Sequence, residues 1–224
     1  MLEIIECIQG EESWFRARMG IPTASKFATV MRSKGKGEDG KSVTRQKYMD
    51  QLAGEIITGQ LVEPYTNVHL ERGKEMEADA RLHYAFVEDR VPQLVGFVRN
   101  GNKGASPDSF IDGDGMLEIK TALPDILIDT IRRDVFPTQH YAQCQGGLWV
   151  CEREWIDLIV YWPGMPYFVK RAYRDETYIK KMAAEVDRFV DELYDLVEWL
   201  RRYECRKTVM EDLSASVRLL EDVR

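Results

Sequence analysis

At 224 residues, 44% of them hydrophobic, the chain is long enough to bury one substantial core and short for two large domains. No apolar run of 18 or more residues and no basic leader with an apolar stretch is present, so the expectation is a cytoplasmic protein with neither a membrane span nor a secretory signal. A net charge of −7 excludes a general nucleic-acid coat, because phosphate contacts rest on Lys and Arg. Charge is uneven along the chain, however. Residues 14–47 hold nine Lys or Arg against Glu38 and Asp39, a net of +7, which leaves −14 for the remainder. A basic face on an acidic body would bind a polyanion in one place only.

In chain order, residues 1–9 read as a short strand and Glu11 to Arg18 as a helix stopped by Gly20. Pro22-Thr23-Ala24-Ser25 reads as the cap of a second helix through Met31. Arg18 and Ser25 then lie near a helix N-terminus, where free N–H groups and the dipole favour an anion. The glycine-rich stretch 33–42 lacks P-loop spacing and takes no nucleotide role. Val43 to Thr58, ended by Gly59, and Thr66 to Glu88 are predicted helices. In the second, Gly73 costs about 1 kcal/mol against Ala and marks a close approach. Of its carboxylates Glu71, Glu75, Glu77 and Asp79, only one or two could serve a metal. His69 and His83 lack ligand spacing and read as packing or surface residues.

Val91 to Arg99 alternates as a strand entering a central hairpin, residues 104–120. Beyond it come helices over Leu123 to Asp134 and over 139–150, the latter with Gln139 and Gln143 on one face. Trp155 to Trp162 and Tyr167 to Tyr173 form a second hairpin around Pro163-Gly164. Residues 175–203 are a long amphipathic helix whose apolar stripe is core or a subunit contact. A polar helical tail follows, giving one domain over 1–205 and a tail over 206–224. Cys7, Cys144, Cys151 and Cys205 are scattered, so neither a zinc site nor a disulfide framework is indicated, and the same spacing weighs against an iron–sulfur cluster.

The central hairpin carries the chemistry. Asp108 closes an extended run, Asp112 to Gly115 supply the turn, and Met116 to Thr121 return. Side chains two apart on a strand project together, so Glu118 and Lys120 share a face while Leu117, Ile119 and Thr121 take the other. Asp108 and Glu118 make a hard oxygen site of the kind Mg²⁺ or Mn²⁺ accepts, with the Ile119 carbonyl as a further donor. Lys120 could orient a water or stabilise charge on phosphorus. The reaction class is phosphodiester hydrolysis.

Ser106-Pro107-Asp108, nine residues, then Glu118-Ile119-Lys120 resembles the PD-(D/E)xK nuclease signature. Trp14 with Arg18 through Ser25, then Gly73 through Arg81, and later Tyr141 through Gln145 extend the resemblance to the lambda exonuclease and YqaJ-like viral recombinase family. That resemblance implies an α/β fold, a mixed sheet flanked by helices with a restriction-endonuclease-like core, and Mg²⁺-dependent 5′ to 3′ digestion of linear double-stranded DNA that leaves a 3′ overhang. Asp108, Glu118 and Ile119 would bind metal, Lys120 would act on the water, and Glu77 and Gln143 would stand beside them. Arg18, Ser25 and Ser106 would hold the 5′ phosphate. The family also implies a homo-oligomer, a ring-shaped trimer around DNA, a single-strand annealing partner, and a phage-encoded protein in the host cytoplasm. Two alternatives remain at this stage, an endonuclease of the same fold and a non-catalytic DNA-end-binding factor.

Overall fold

A computed structural model describes residues 1–32, 34–35, 42–61 and 68–221, with backbone only at 68–75 and 204–221. Its elements are β1 (Leu2–Ile5), α1 (Glu12–Arg18), α2 (Phe27–Val30), α3 (Val43–Thr58), α4 (Val68–Val87), β2 (Phe97–Asn100), β3 (Lys103–Ala105), β4 (Ser109–Ile111), β5 (Gly115–Thr121), α5 (Pro124–Arg133), α6 (Thr138–Cys151), β6 (Trp155–Tyr161), β7 (Phe168–Tyr173) and α7 (Glu176–Glu221). The fold is the expected mixed α/β arrangement, but the strands divide into two sheets, β1-β2-β3 and β4-β5-β6-β7. Among the described strands only β5 and β6 pair in parallel, and α5 and α6 supply the crossover that parallel strands require.

Local chemistry explains the best-placed boundaries. The Ser42 side chain caps α3 by accepting from the Arg45 N–H, and Gly59 ends it at φ 62°, where glycine bears no Cβ penalty. Pro124 stands in the first turn of α5, where a missing N–H costs nothing. Asp112 turns the β4–β5 hairpin at φ 51°, a conformation Asp tolerates better than most residues.

Strand β5 is the structural centre. From Gly115 to Ile119 it is buried on both faces. Leu117 and Ile119 pack with Ala80 and Tyr84 of α4, while Met116 joins Cys144 and Leu148 of α6 in the main core. Residues Ile179, Met182, Val186, Phe189, Leu193 and Val197 of α7 close that core from the other side.

Several expectations change. Of residues 91–99 only Phe97 onward is strand, and β2 pairs with β1 and β3 in the separate sheet; Gln93 keeps a lone bridge to Phe110. Asp108 precedes the outgoing strand instead of ending one. The capped helix over 22–31 is a 3₁₀ turn, Ala24–Lys26, followed by the four-residue α2, and Thr23 makes no side-chain cap bond. Within the basic stretch Arg45 is buried and bonded to Val30 O and Glu192, Arg16 pairs with Glu12 at the surface, and Lys26, Arg32, Lys34 and Lys47 stay exposed. No break separates residues 203 and 207, since α7 is continuous. His83 packs edge-on to Tyr167, with ring centres 4.7 Å apart, and lies tilted beside Tyr161. The readings of 36–41, and of the side chains at His69, Glu71, Gly73, Glu75 and beyond 203, lie outside the described residues.

Candidate active site

Glu118 lies on the α6 side of β5 and is buried. Lys120 Nζ sits 2.7 Å from its Oε1, as the two-residue spacing requires, and the Gln143 amide donates to the same oxygen from α6. Asp108 approaches from the start of β4 and its Oδ2 accepts the Ile119 N–H at 2.5 Å. Glu77 reaches the same place from α4, because it and Asp108 line one cleft of about 700 Å³. Three regular elements and the segment just before β4 thus converge on one acidic centre.

Electrostatics mark that centre. The Asp108 carboxyl is held well above the ordinary carboxylate range, first by burial and then by the charges of Glu118 and Glu77, with the Ile119 N–H and Lys120 acting the other way. Burial would lower Lys120, but the Glu118 carboxylate and then Asp108 outweigh it and keep the ammonium above its usual value. Burial and the Glu118 charge both raise the Cys144 thiol, which stays neutral. His140, one turn before Gln143, is pushed down to about 4 by burial and by the Lys120 charge.

The donor set fits a hard divalent cation. Mutually repelling carboxylate oxygens at a buried centre are what Mg²⁺ or Mn²⁺ would relieve. Among the described residues no group of three or more His, Cys, Asp or Glu side chains is placed to hold a metal ion, so a cation here would lean on two carboxylates with waters and substrate oxygens, as Mg²⁺ commonly does.

A second cluster stands next to the first, through Ser106. Trp14 Nε1 and Arg18 Nη1 both donate to Ser106 Oγ, at 2.9 and 3.1 Å. The Arg18 guanidinium lies 4.0 Å from the centre of the Trp14 ring. Burial lowers the Arg18 pKa, and Tyr48 and Glu55 oppose the shift. Ser25 is exposed and is linked by its hydroxyl to Thr23, 3.3 Å away, whose N–H donates to Tyr48. Arg18 and Ser106 are therefore in contact, while Ser25 bonds to Thr23 and, among the described hydrogen bonds, to neither of them. Gln139 faces solvent, away from the role given to Gln143.

Sequence reasoning gave no role to Trp14, Tyr48, Arg81 or His140. Helical spacing held a signal for two of them. Trp14 is four residues before Arg18, and Arg81 four after Glu77, which places each on its partner's face.

A model of the YqaJ-like viral recombinase domain matches residues 13–154. The chain belongs to this family. It is similar, at 31% identity and a TM-score of 0.78, to the crystal structure of LHK-Exo in complex with dAMP, covering 88% of this chain and 99% of that one. Likeness to the alkaline exonuclease LHK-Exo from Laribacter hongkongensis is 30% in identity and 0.77 in TM-score, with the same coverage. A phage-related exonuclease from Haemophilus somnus 129PT shares the fold at 13% identity and a TM-score of 0.60, over 80% of this chain and 96% of that one. No curated protein matches the chain. No helix among the described residues is long and apolar enough to cross a membrane.

Proposed function

We propose that this family member is a metal-dependent exonuclease that digests linear double-stranded DNA from 5′ ends and leaves 3′ single strands for phage-type recombination. The observation that carries the reading is the convergence of Asp108, Glu118, Lys120 and Gln143 at one buried, mutually repelling acidic centre. Mg²⁺, or Mn²⁺ in its place, would be held by Asp108, Glu118 and the Ile119 carbonyl with Glu77 alongside, and would polarise a phosphoryl oxygen and acidify a bound water. Lys120, protonated beside Glu118, orients that water and offsets charge developing on phosphorus. Gln143 fixes the Glu118 carboxylate so that it does not swing with the ion pair.

Arg18 and Ser106, with Ser25 beyond them, hold the terminal 5′ phosphate. Ser106 Oγ already accepts from Trp14 and Arg18, so its own proton is left for an anionic oxygen. The two clusters, both hung on the 106–108 segment, would grip one nucleotide between terminal and scissile phosphates. A ring-shaped trimer would set the basic stretch inside and the acidic body outside, and a single-strand annealing protein in the host cytoplasm would receive the 3′ strand.

The test is digestion of 5′-phosphorylated linear duplex with Mg²⁺, beside EDTA, 5′-hydroxyl ends, closed circles and Lys120→Ala protein. The expected result is release of 5′ label as mononucleotides, sparing of circles, dependence on the 5′ phosphate, and a loss of about a thousandfold in kcat with Lys120→Ala. Cleavage of closed circles would make the protein an endonuclease, and end binding without cleavage would end the enzymatic reading.

A further inference from the structure

Asp108 is the one acidic residue of the centre that no regular element holds. It lies before the first ladder pair of β4, Ser109 opposite Leu117, and β4 has only three such pairs. Its place is set instead by side chains on either flank. On one, Gln9 Nε2 donates to Val95 O at 2.8 Å and to Pro107 O at 2.9 Å, which pins the peptide before Asp108. On the other, Arg81 Nε donates to Ser109 Oγ at 3.0 Å, and Ser109 Oγ donates to Asp108 O at 2.6 Å. Arg81 Nη2 adds a longer contact to Asp108 O at 3.4 Å. Ser109 is fully buried, so this chain of bonds is shielded from competing water.

Arg81 also stands one helical turn after Glu77, and both line the cleft that Asp108 lines. Among the described residues of that wall, Glu6, Glu77 and Asp108 are acidic and Arg81 is the single cation. We propose that Arg81 is a positioning residue: it locks the Asp108 peptide to α4, so that the Asp108 and Glu77 carboxylates keep a fixed spacing and Asp108 stays on the Ile119 amide. The proposal rests on the nuclease reading above. A guanidinium suits the task because its planar fork can reach the hydroxyl and the carbonyl together, which a Lys ammonium cannot.

The experiment compares Arg81→Gln, Arg81→Lys and Ser109→Ala with the surface control Arg188→Gln. On linear duplex, kcat and KM are measured separately, and Mg²⁺ binding to DNA-free protein is measured by calorimetry. Residues that orient ligand-bearing groups typically cost 10–100-fold when removed. Arg81→Gln is therefore expected to lose about 10–100-fold in both kcat and Mg²⁺ affinity with KM within roughly threefold, Arg81→Lys to recover only part, and Ser109→Ala to fall between. A raised KM with normal kcat would make Arg81 a DNA contact and overturn the proposal. So would a lowered melting temperature with kcat and Mg²⁺ affinity unchanged. Wild-type protein that binds Mg²⁺ yet cuts no DNA would sink the nuclease reading instead, and the calorimetric comparison would still decide the role of Arg81.

Discussion

Asp108 shows how a single residue trades stability for chemistry. Its carboxyl is raised because burial and the Glu118 and Glu77 charges disfavour ionisation in the folded chain. The folded value lies above the unfolded one, so ionisation costs stability that is absent below about pH 4 and is felt increasingly as pH rises through the folded value. Asp108→Asn keeps an oxygen for the Ile119 N–H and removes the charge. Metal-free Asp108→Asn protein is expected to melt above wild type at pH 7.5, with the difference vanishing near pH 4. The sign of the difference in melting temperature, and its disappearance near pH 4, are the readout. Activity should be abolished, and added Mg²⁺ should stabilise wild type but not the variant. A variant that melts lower in EDTA at neutral pH would show that the Asp108 charge is satisfied without a cation. The pairing of Glu118 with Lys120 was legible from strand alternation alone. The place of His140 was not, because no spacing rule ties a helix residue to a strand some twenty positions earlier.

Between elements, the site depends on how α6 lies along β5. A Cβ on Gly147 would stand 3.0 Å from Met116 Cε, Gln143 reaches Glu118, and the Lys120 charge is felt at His140. Going backwards along the helix thus goes forwards along the strand. Close approach on the other flank is made by Gly146, where a Cβ would meet the Phe27 ring at 2.5 Å and Ala24 Cβ at 3.3 Å. Those residues belong to the short turn and helix that follow Thr23, so Gly146 sets the distance between the acidic centre and the Arg18 cluster. Gly146→Val is expected to destabilise by about 1–3 kcal/mol through overpacking and to weaken selection for 5′-phosphorylated over 5′-hydroxyl ends. Gly113→Ala, with open space around it, serves as the neutral control; urea midpoints would measure both, and equal midpoints would refute the packing argument. Helices α3 and α5 were legible because Gly59 and Pro124 are local signals. The extent of β2 was not, since alternation over 91–99 says which residues face inward and only the partner strands β1 and β3 decide where pairing begins.

For the molecule as a whole, sequence showed that acid and base are segregated, but the fold reassigns the bases. Arg45 is buried and spent on the partly exposed Glu192 and on the Phe189 ring, and Arg18 is packed against Trp14 and Ser106. The same packing separates what α7 does for stability from what its length does. Its core contacts run from Ile179 to Val197, with Leu196 and Leu200 half-buried, and Arg201, Arg202 and Tyr203 are exposed. The helix nevertheless continues to Glu221. Eighteen further residues at about 1.5 Å each carry it roughly 27 Å beyond Tyr203. A chain ending at Tyr203 keeps every core contact described for α7 and is therefore expected to melt within about 2 °C of the full chain and to keep its rate on short duplexes. If residues 204–224 join copies of the chain, light scattering would report a smaller assembly, and digestion of long duplexes would become distributive while the short-duplex rate held. A melting temperature lower by more than about 5 °C would instead place part of the fold's stability beyond Tyr203.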